Sequence, residues 1–453
     1  MHKHLGFAYA WQGLDETRAY ELLKLANFND TLRNKLYTLN ISQTLRVLKE
    51  EFKTENSHDG NFTIKLHNSA FEIMFPYFED ALMSDYKDLS EKYGYKLKTP
   101  VIIEGFHRID DFGSRTIGLP AISTFGESFG RLITLALPQA AQRPSFSWRR
   151  VIRRELEKTF QIQMSKGCVP TAFLEGYTQF ALTQYRSTWL MQNQYELVKS
   201  YYDNTLQKLS TLNLSILNTQ THDFAVFQSS LMMQMLVEKH GGEAIIKQML
   251  DLFAQNLSLE QAVTKVSGLS AAKFDEEFKN YVNEKFVKRV KVEPRPGIVQ
   301  LQKLMIEFED TQKSELKPKL AWAYFCNGMK AEAYKLADDV YKQDNENKYA
   351  LFLKGYNDLE TAGSDPLKQA ESLDHLAKAE ANGFEDYELY VLLGRLNEMN
   401  SPSEAFKYYK KAVDSFPDFV GRGSAYNSLL TILYSNENTT DSVSYTHLRA
   451  HET

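Results

Sequence analysis

Cysteine is almost missing from this chain: 453 residues contain two, Cys168 and Cys326. They stand far apart, so neither a disulfide framework nor a cysteine-based zinc site is expected, and both are read as packed or bystander thiols. There is no apolar run long enough to cross a bilayer, so no membrane span is expected. The opening MHKHLGFAYAWQG lacks the long apolar core of a signal peptide. Upstream residues are nonetheless expected to be lost, which leaves the compartment unknown. Charge of one sign is not in excess either: 53 Lys and Arg stand against 58 Asp and Glu, a formal net charge of −5. Nothing in that balance attracts nucleic acid or an anionic membrane, and no nucleic-acid partner is expected. The basic run SWRRVIRRELEK, taken alone, is a solvated helix face.

What is present is ordinary for a globular protein, 43% hydrophobic and 25% charged residues, with length for two or three domains. From about Val299 to Thr440 the pattern is helical throughout, and small residues recur. Leu393-Gly394 is followed by Ala405, Tyr409, Ala412 and Pro417. The same order occurs as Leu320-Ala321, Tyr324, Ala333, Ala337 and Val340, and more loosely as Gly355, Ala370 and Ala377. Small residues at these spacings let two helices approach closely, and proline stops the second. The segment resembles tetratricopeptide repeats, which implies protein or peptide partners. HLGFAYAWQGLDETRAYELLKLANFND has the same character through Leu5-Gly6, Tyr9, Ala19 and Ala26. One repeat cannot bury its own apolar face, so this hairpin either docks on the next domain or has lost upstream repeats, the second being the expectation.

The stretch between these segments reads as α+β. Phe62, Ile64 and Leu66 alternate with polar neighbours as a half-buried strand, TPVIIEGF is a second strand and GRLITLALP a third, at an edge. A helix is expected to open at Pro76 and stop at Gly94. VEPRPG, residues 292–297, is read as a linker. The last residues, VSYTHLRAHET, resemble one reading frame of a transposase-type sequencing adapter. His447, His451 and Glu452 within them are therefore excluded as a metal motif.

In order, DDFGSRTIGLP, FGRLITLALP, VIRRELEKTFQIQMSKGCVPTAFLEGYTQFA and LEQAVTKVSGLSAAKFDEEFKNYV resemble the gluzincin-type zinc peptidases, specifically the peptidase-MA-like domains found beside tetratricopeptide repeats. The resemblance covers roughly Phe52 to Phe286. It implies an α+β fold with a small mixed or antiparallel sheet packed on helices, in a thermolysin-like architecture, flanked by all-α solenoid segments. The expected domains are 1–48, a helical hairpin; 52–290, peptidase-MA-like; and 298–442, the repeats, with 443–453 the adapter. Members of the family are often exported. They carry two histidine ligands and a glutamate base on one helix, and a third ligand on the Glu-Gly helix.

Mapped by motif, Arg154 and Lys158 stand at the histidine positions, Glu155 at the base position and Glu175 at the third-ligand position. Catalytic zinc takes three protein lone pairs plus water. Arginine has none to give, and lysine must first lose a proton. A cationic side chain about 4 Å from a dication repels it by about 8 kcal/mol at an effective dielectric of 20, against roughly 10–16 kcal/mol for complete structural zinc sites. No metal is therefore expected, although the family implies zinc. Instead Arg154 and Lys158, one turn apart, are expected to form a salt-bridge cluster with Glu175 and Glu155. His67, His107, His222 and His240 show no ligand spacing with one another.

The expected function is that of a non-catalytic peptidase homologue, binding protein or peptide through its repeats. The alternatives are an active zinc peptidase with non-standard ligands and Glu155 as base, or a purely structural middle domain.

Overall fold

The computed structural model describes residues 2–13, 15–29, 35–120, 122, 124–141, 147–183, 191–218, 221–290, 292–417 and 424–435; the adapter-like tail lies outside them. The described chain is mainly helical, with one five-stranded sheet. It forms two compact units, residues 1–182 with 229–269, and residues 183–228 with 270–453.

Elements are numbered in chain order. The first unit opens with helices α1 (His2–Gln12), α2 (Glu16–Asn29) and α3 (Lys35–Glu51), then strands β1 (Phe52–Asn56) and β2 (Phe62–His67) and the long helix α4 (Asn68–Tyr93). Strand β3 (Val101–Phe106), helix α5 (Ile109–Ile117), strands β4 (Gly126–Ser128) and β5 (Leu132–Ala136), and helices α6 (Pro138–Ala141), α7 (Trp148–Met164) and α8 (Thr171–Thr183) follow. Helices α9 (Met191–Asp203) and α10 (Leu212–Leu217) precede α11 (His222–His240), which is assigned to the first unit from Ser229 onward together with α12 (Ala244–Phe253) and α13 (Leu259–Ser267).

The sheet order is β1-β2-β3-β5-β4. The outer pairs β1/β2 and β4/β5 are antiparallel, and β2/β3 and β3/β5 are parallel, so the sheet is mixed. Strand β5 is therefore interior, not the edge strand expected from the sequence; the edge is the three-residue β4. The alternation in β2 is as the sequence requires, with Phe62, Ile64 and Leu66 buried. Their side of the sheet meets α4, where the Phe62 and Tyr86 rings lie edge to face with centroids 5.8 Å apart. Helix α4 starts eight residues before Pro76, which sits inside it. The proline removes one backbone donor, but buried Ala70, Phe71, Met74, Phe78, Ala81 and Leu82 continue one apolar face across it. Gly94 ends the helix in the left-handed conformation at φ 57°.

The other side of the sheet buries Phe106 and Ala136 against Ala10, Leu23, Ile41 and Leu45 of α1–α3 and Phe112 of α5. The N-terminal hairpin thus docks on this sheet, while Leu5, Leu25 and Phe28 of the same helices stay exposed. Arg115 fastens it: fully buried, it donates from Nη2 to the Ala10 carbonyl (2.7 Å) and pairs through Nε with buried Glu104 at 2.9 Å.

In the second unit α14 (Ala271–Lys285) is followed by a row of helices: α15 (Ile298–Thr311), α16 (Lys317–Cys326), α17 (Lys330–Gln343), α18 (Lys348–Ala362), α19 (Pro366–Ala381), α20 (Tyr387–Asn397), α21 (Pro402–Ser415) and α22 (Ala425–Ser435). Each packs on the next, α16–α22 around one apolar core and α15 against α16 in a second, smaller one. Ala333, Ala337, Ala405, Tyr409 and Ala412 are buried at the spacings the sequence shows, and Gly394 lies under the Tyr409 ring. The middle pair departs from the expected register. Ala370 is exposed and Ala377 only half-buried, while Ser372, Leu376 and Ala379 are the buried positions, the first two against Gly355.

Candidate functional site

Helix α7 is buried on more than one side, which is why it carries polar groups with specific partners. Ser147 caps it, accepting from Arg150 N–H. Ile152, Leu156 and Phe160 form its apolar stripe, with the Phe160 ring stacked on Tyr93 at 5.5 Å. On another side, buried Glu157 accepts from Lys92 Nζ (3.2 Å) and from the Tyr93 hydroxyl.

The face bearing positions 154, 155 and 158 meets α8 and β4. Arg154 Nη2 donates to Glu175 Oε2 at 2.9 Å, and Lys158 Nζ donates to Glu175 Oε1 at 2.6 Å. A single carboxylate thus receives both cations, one on each oxygen. Arg154 Nη1 also reaches Glu155 Oε1 at 3.2 Å and the Thr124 hydroxyl at 3.3 Å. Lys158 is fully buried and has two further carboxylates nearby, Glu127 Oε1 at 3.7 Å and Glu155 Oε2 at 3.9 Å.

Glu127 is the site residue that sequence reasoning missed. It sits in β4, too short for any alternation to register, and reaches α7 because the strand lies close against the helix. At neighbouring Gly126 a Cβ would fall 2.6 Å from Val151 Cγ1 and 2.8 Å from Glu155 Cγ, so only glycine allows this approach. The signal was the acidic residue in GESFG, between two glycines.

Burial disfavours every charge in the cluster, and the partners decide which survive. Burial would raise Glu175, but Lys158 and Arg154, through charge and hydrogen bonds, hold it down at about 2. Glu127 goes the other way: burial, reinforced by the charges of Glu155 and Glu175 against the pull of Lys158, pushes it up to about 7. Burial works against the protons of Lys158 and Arg154, yet the surrounding carboxylates raise both pKa values. Lys158 therefore keeps its proton and offers no lone pair. Arg154 never has one. The donor set does not fit zinc, and among the described residues no group of three or more His, Cys, Asp and Glu side chains is arranged to hold a metal ion.

The remaining sequence candidates lie elsewhere. His67 and His107 stack at 3.6 Å, with His67 Nε2 3.3 Å from Glu51, on the side of the sheet that carries the N-terminal helices. Burial, then His67, lowers the pKa of His107. His222 Nδ1 lies 2.7 Å from the Ile216 carbonyl oxygen. Cys168 is exposed; Cys326 is half-buried, its thiol pushed up to about 12 by burial. Elsewhere in the first unit, an open pocket of about 410 Å³ is lined by Trp11, Phe129, Ile162, Val169 and Leu174, with the Trp11 and Phe129 rings stacked at 5.8 Å.

No protein-family model matches the chain, and no curated protein shows significant sequence similarity to it. Among the described residues no helix is long and apolar enough to cross a membrane.

Proposed function

We propose that the first unit descends from a gluzincin-type zinc peptidase, has lost catalysis, and now serves with the helical repeats of the second unit in protein or peptide binding. The observation that carries this is the Lys158 ammonium, fully buried, with Glu175, Glu127 and Glu155 carboxylate oxygens 2.6, 3.7 and 3.9 Å away. An internal cation stands where the family resemblance would put a metal. Hydrolysis by the family route needs a metal-bound water facing the glutamate base. Here Glu155 Oε1 faces the Arg154 guanidinium instead.

Support for binding comes from the open apolar pocket of the first unit and from helices stacked pairwise in the second unit, an arrangement that suits extended peptide partners. Strand addition in the first unit would take place at an edge of the sheet, β1 or β4.

Metal analysis and peptide cleavage test the proposal together. The purified chain should take up no stoichiometric zinc and cleave no peptide. The double variant Arg154→His with Lys158→His should bind one equivalent by titration calorimetry, because both positions address the same Glu175 carboxylate. Chelator-sensitive cleavage by the unaltered chain, abolished by Glu155→Gln, would sink the non-catalytic assignment. A folded double variant that ignores zinc would sink the mapping onto ligand positions.

A further inference from the structure

Residues 292–297, Val-Glu-Pro-Arg-Pro-Gly, are more than a connector. Prolines at 294 and 296 fix two φ angles, remove two backbone donors and bias Glu293 and Arg295 toward extended backbone. The segment forms no regular secondary structure, yet its polar groups are met by side chains and backbone of successive helices of the same unit. Glu293 N–H donates to the Glu385 carbonyl at 2.7 Å. The Pro294 carbonyl accepts from Trp322 Nε1 at 2.8 Å, and the Pro296 carbonyl from Asn327 Nδ2 at 3.0 Å. Buried Glu293 accepts from the Tyr349 hydroxyl at 3.0 Å and from Lys348 Nζ.

Arg295 is the anchor. Its Nη2 donates to Asp386 Oδ1 at 2.8 Å and Glu388 Oε2 at 3.2 Å, and its guanidinium lies 5.5 Å from the Trp322 ring centroid. A planar cation between a carboxylate pair and an indole face is a recognition geometry in which lysine is a poor substitute. Gly297 completes the fit: its N–H donates to the Asp203 carboxylate, and any Cβ there would fall on that carboxylate. The groups that read Glu293 to Pro296 come from α16, α18, α20 and their turns, and Asp203 of α9 receives Gly297. Asp386, the N-cap of α20, is fully buried, so removing the guanidinium strands a buried carboxylate.

The geometry points to a peptide receptor filled by its own chain: the surface formed by α16, α18 and α20 recognises extended segments of the form Glu-Pro-Arg-Pro, and residues 292–297 are its resident, displaceable ligand. This rests on the proposal that the repeats bind peptides and adds to it the chemistry of the partner, an arginine held between prolines with an acidic residue two positions earlier. A tethered ligand competes at an effective concentration of about millimolar. An outside peptide therefore binds the intact chain weakly until the resident is displaced.

The test uses the full chain and a fluorescent synthetic peptide spanning residues 289–298, followed by anisotropy. Arg295→Ala, with its fold checked by circular dichroism, should bind this peptide at least about tenfold more tightly than the unaltered chain, and adding Asp386→Asn should abolish the gain. In the unaltered chain, millimolar peptide should speed hydrogen exchange at residues 292–297. That measurement needs no variant and decides the matter if Arg295→Ala does not fold. A folded Arg295→Ala chain that binds the peptide no better than a scrambled control, or an exchange rate at 292–297 untouched by millimolar peptide, overturns the inference and makes the segment a fixed clasp. Unrelated peptides screened alongside separate the two levels: capture of others but not this one leaves the peptide-binding proposal standing, and capture of none overturns both.

Discussion

Replacing Lys158 by methionine removes a buried ammonium while nearly keeping its volume, so the effect is electrostatic. At an effective dielectric of 20, charges 2.6, 3.7 and 3.9 Å apart attract by about 6, 4.5 and 4 kcal/mol respectively. A gross loss of that size is not what a denaturation experiment would read, because the stranded carboxylates respond by taking up protons. Glu127 does so at little cost, since its carboxyl is already pushed up to about 7. Breaking a buried pair typically costs about 3–5 kcal/mol, so Lys158→Met should destabilise the first unit by roughly that amount. Glu127→Gln removes the surplus negative charge and should stabilise the unit at pH 8, by up to about 2 kcal/mol. Urea titrations read by hydrogen exchange of peptides covering residues 148–164 measure both. If Lys158→Met costs no more than Glu127→Gln, Lys158 is not the counter-ion of the cluster.

The pH profile should carry the mark of the same groups. Glu127 binds its proton more tightly folded than unfolded, so its contribution is complete below about 4.5 and is lost as pH rises through about 7. Glu175, held at about 2, contributes above 4.5 and loses its share as pH falls toward 2. With a third of the Glu127 side chain exposed (32%), the alkaline loss should be about 2 kcal/mol. It should vanish in Glu127→Gln; a variant whose stability still falls between pH 5 and 8 as the unaltered chain's does would contradict it. Arg115→Leu leaves buried Glu104 with Lys65, 3.8 Å away, and removes the guanidinium donor from the Ala10 carbonyl. It should cost about 3–5 kcal/mol and speed hydrogen exchange in residues 2–13 first; uniform loosening of the first unit would show that Arg115 does not fasten the hairpin.

Legibility in the sequence followed periodicity. Strand β2 and the repeat hairpins around Tyr409 were readable because burial repeats every two residues in one and every three or four in the other. Strand β4 has three residues and no room for a period, so both the edge of the sheet and Glu127 went unseen. Pro76 was overvalued: a local rule lost to six buried side chains spanning it. Ala370 was chosen for its size, whereas Leu376 and Ser372 fill the space beside Gly355. Residues 292–297 carry the composition of a linker, and nothing in composition tells which side chains will receive an arginine. Glu155, Arg154, Lys158 and Glu175 were found together because a motif gave their spacing. Their pairing in the structure adds which oxygen meets which nitrogen.

If the first unit has the proposed ancestry, the loss of its two histidines makes more sense as a pair than singly. On the proposed descent, a dication and neutral imidazoles once faced the carboxylates at positions 155 and 175. Arg154 and Lys158 supply the same two positive charges, and the third carboxylate, Glu127, has a pKa near 7 that lets it stand partly protonated. Exchanging one histidine alone would repel a bound metal without replacing its charge, leaving Glu155 or Glu175 buried and uncompensated, a costly state. Exchanging both conserves the electrostatics while discarding the Lewis acid. Fold stability and hydrolysis, which a metal site couples, are thereby separated, and the same carboxylates that would serve zinc chemistry can persist as structural counter-ions.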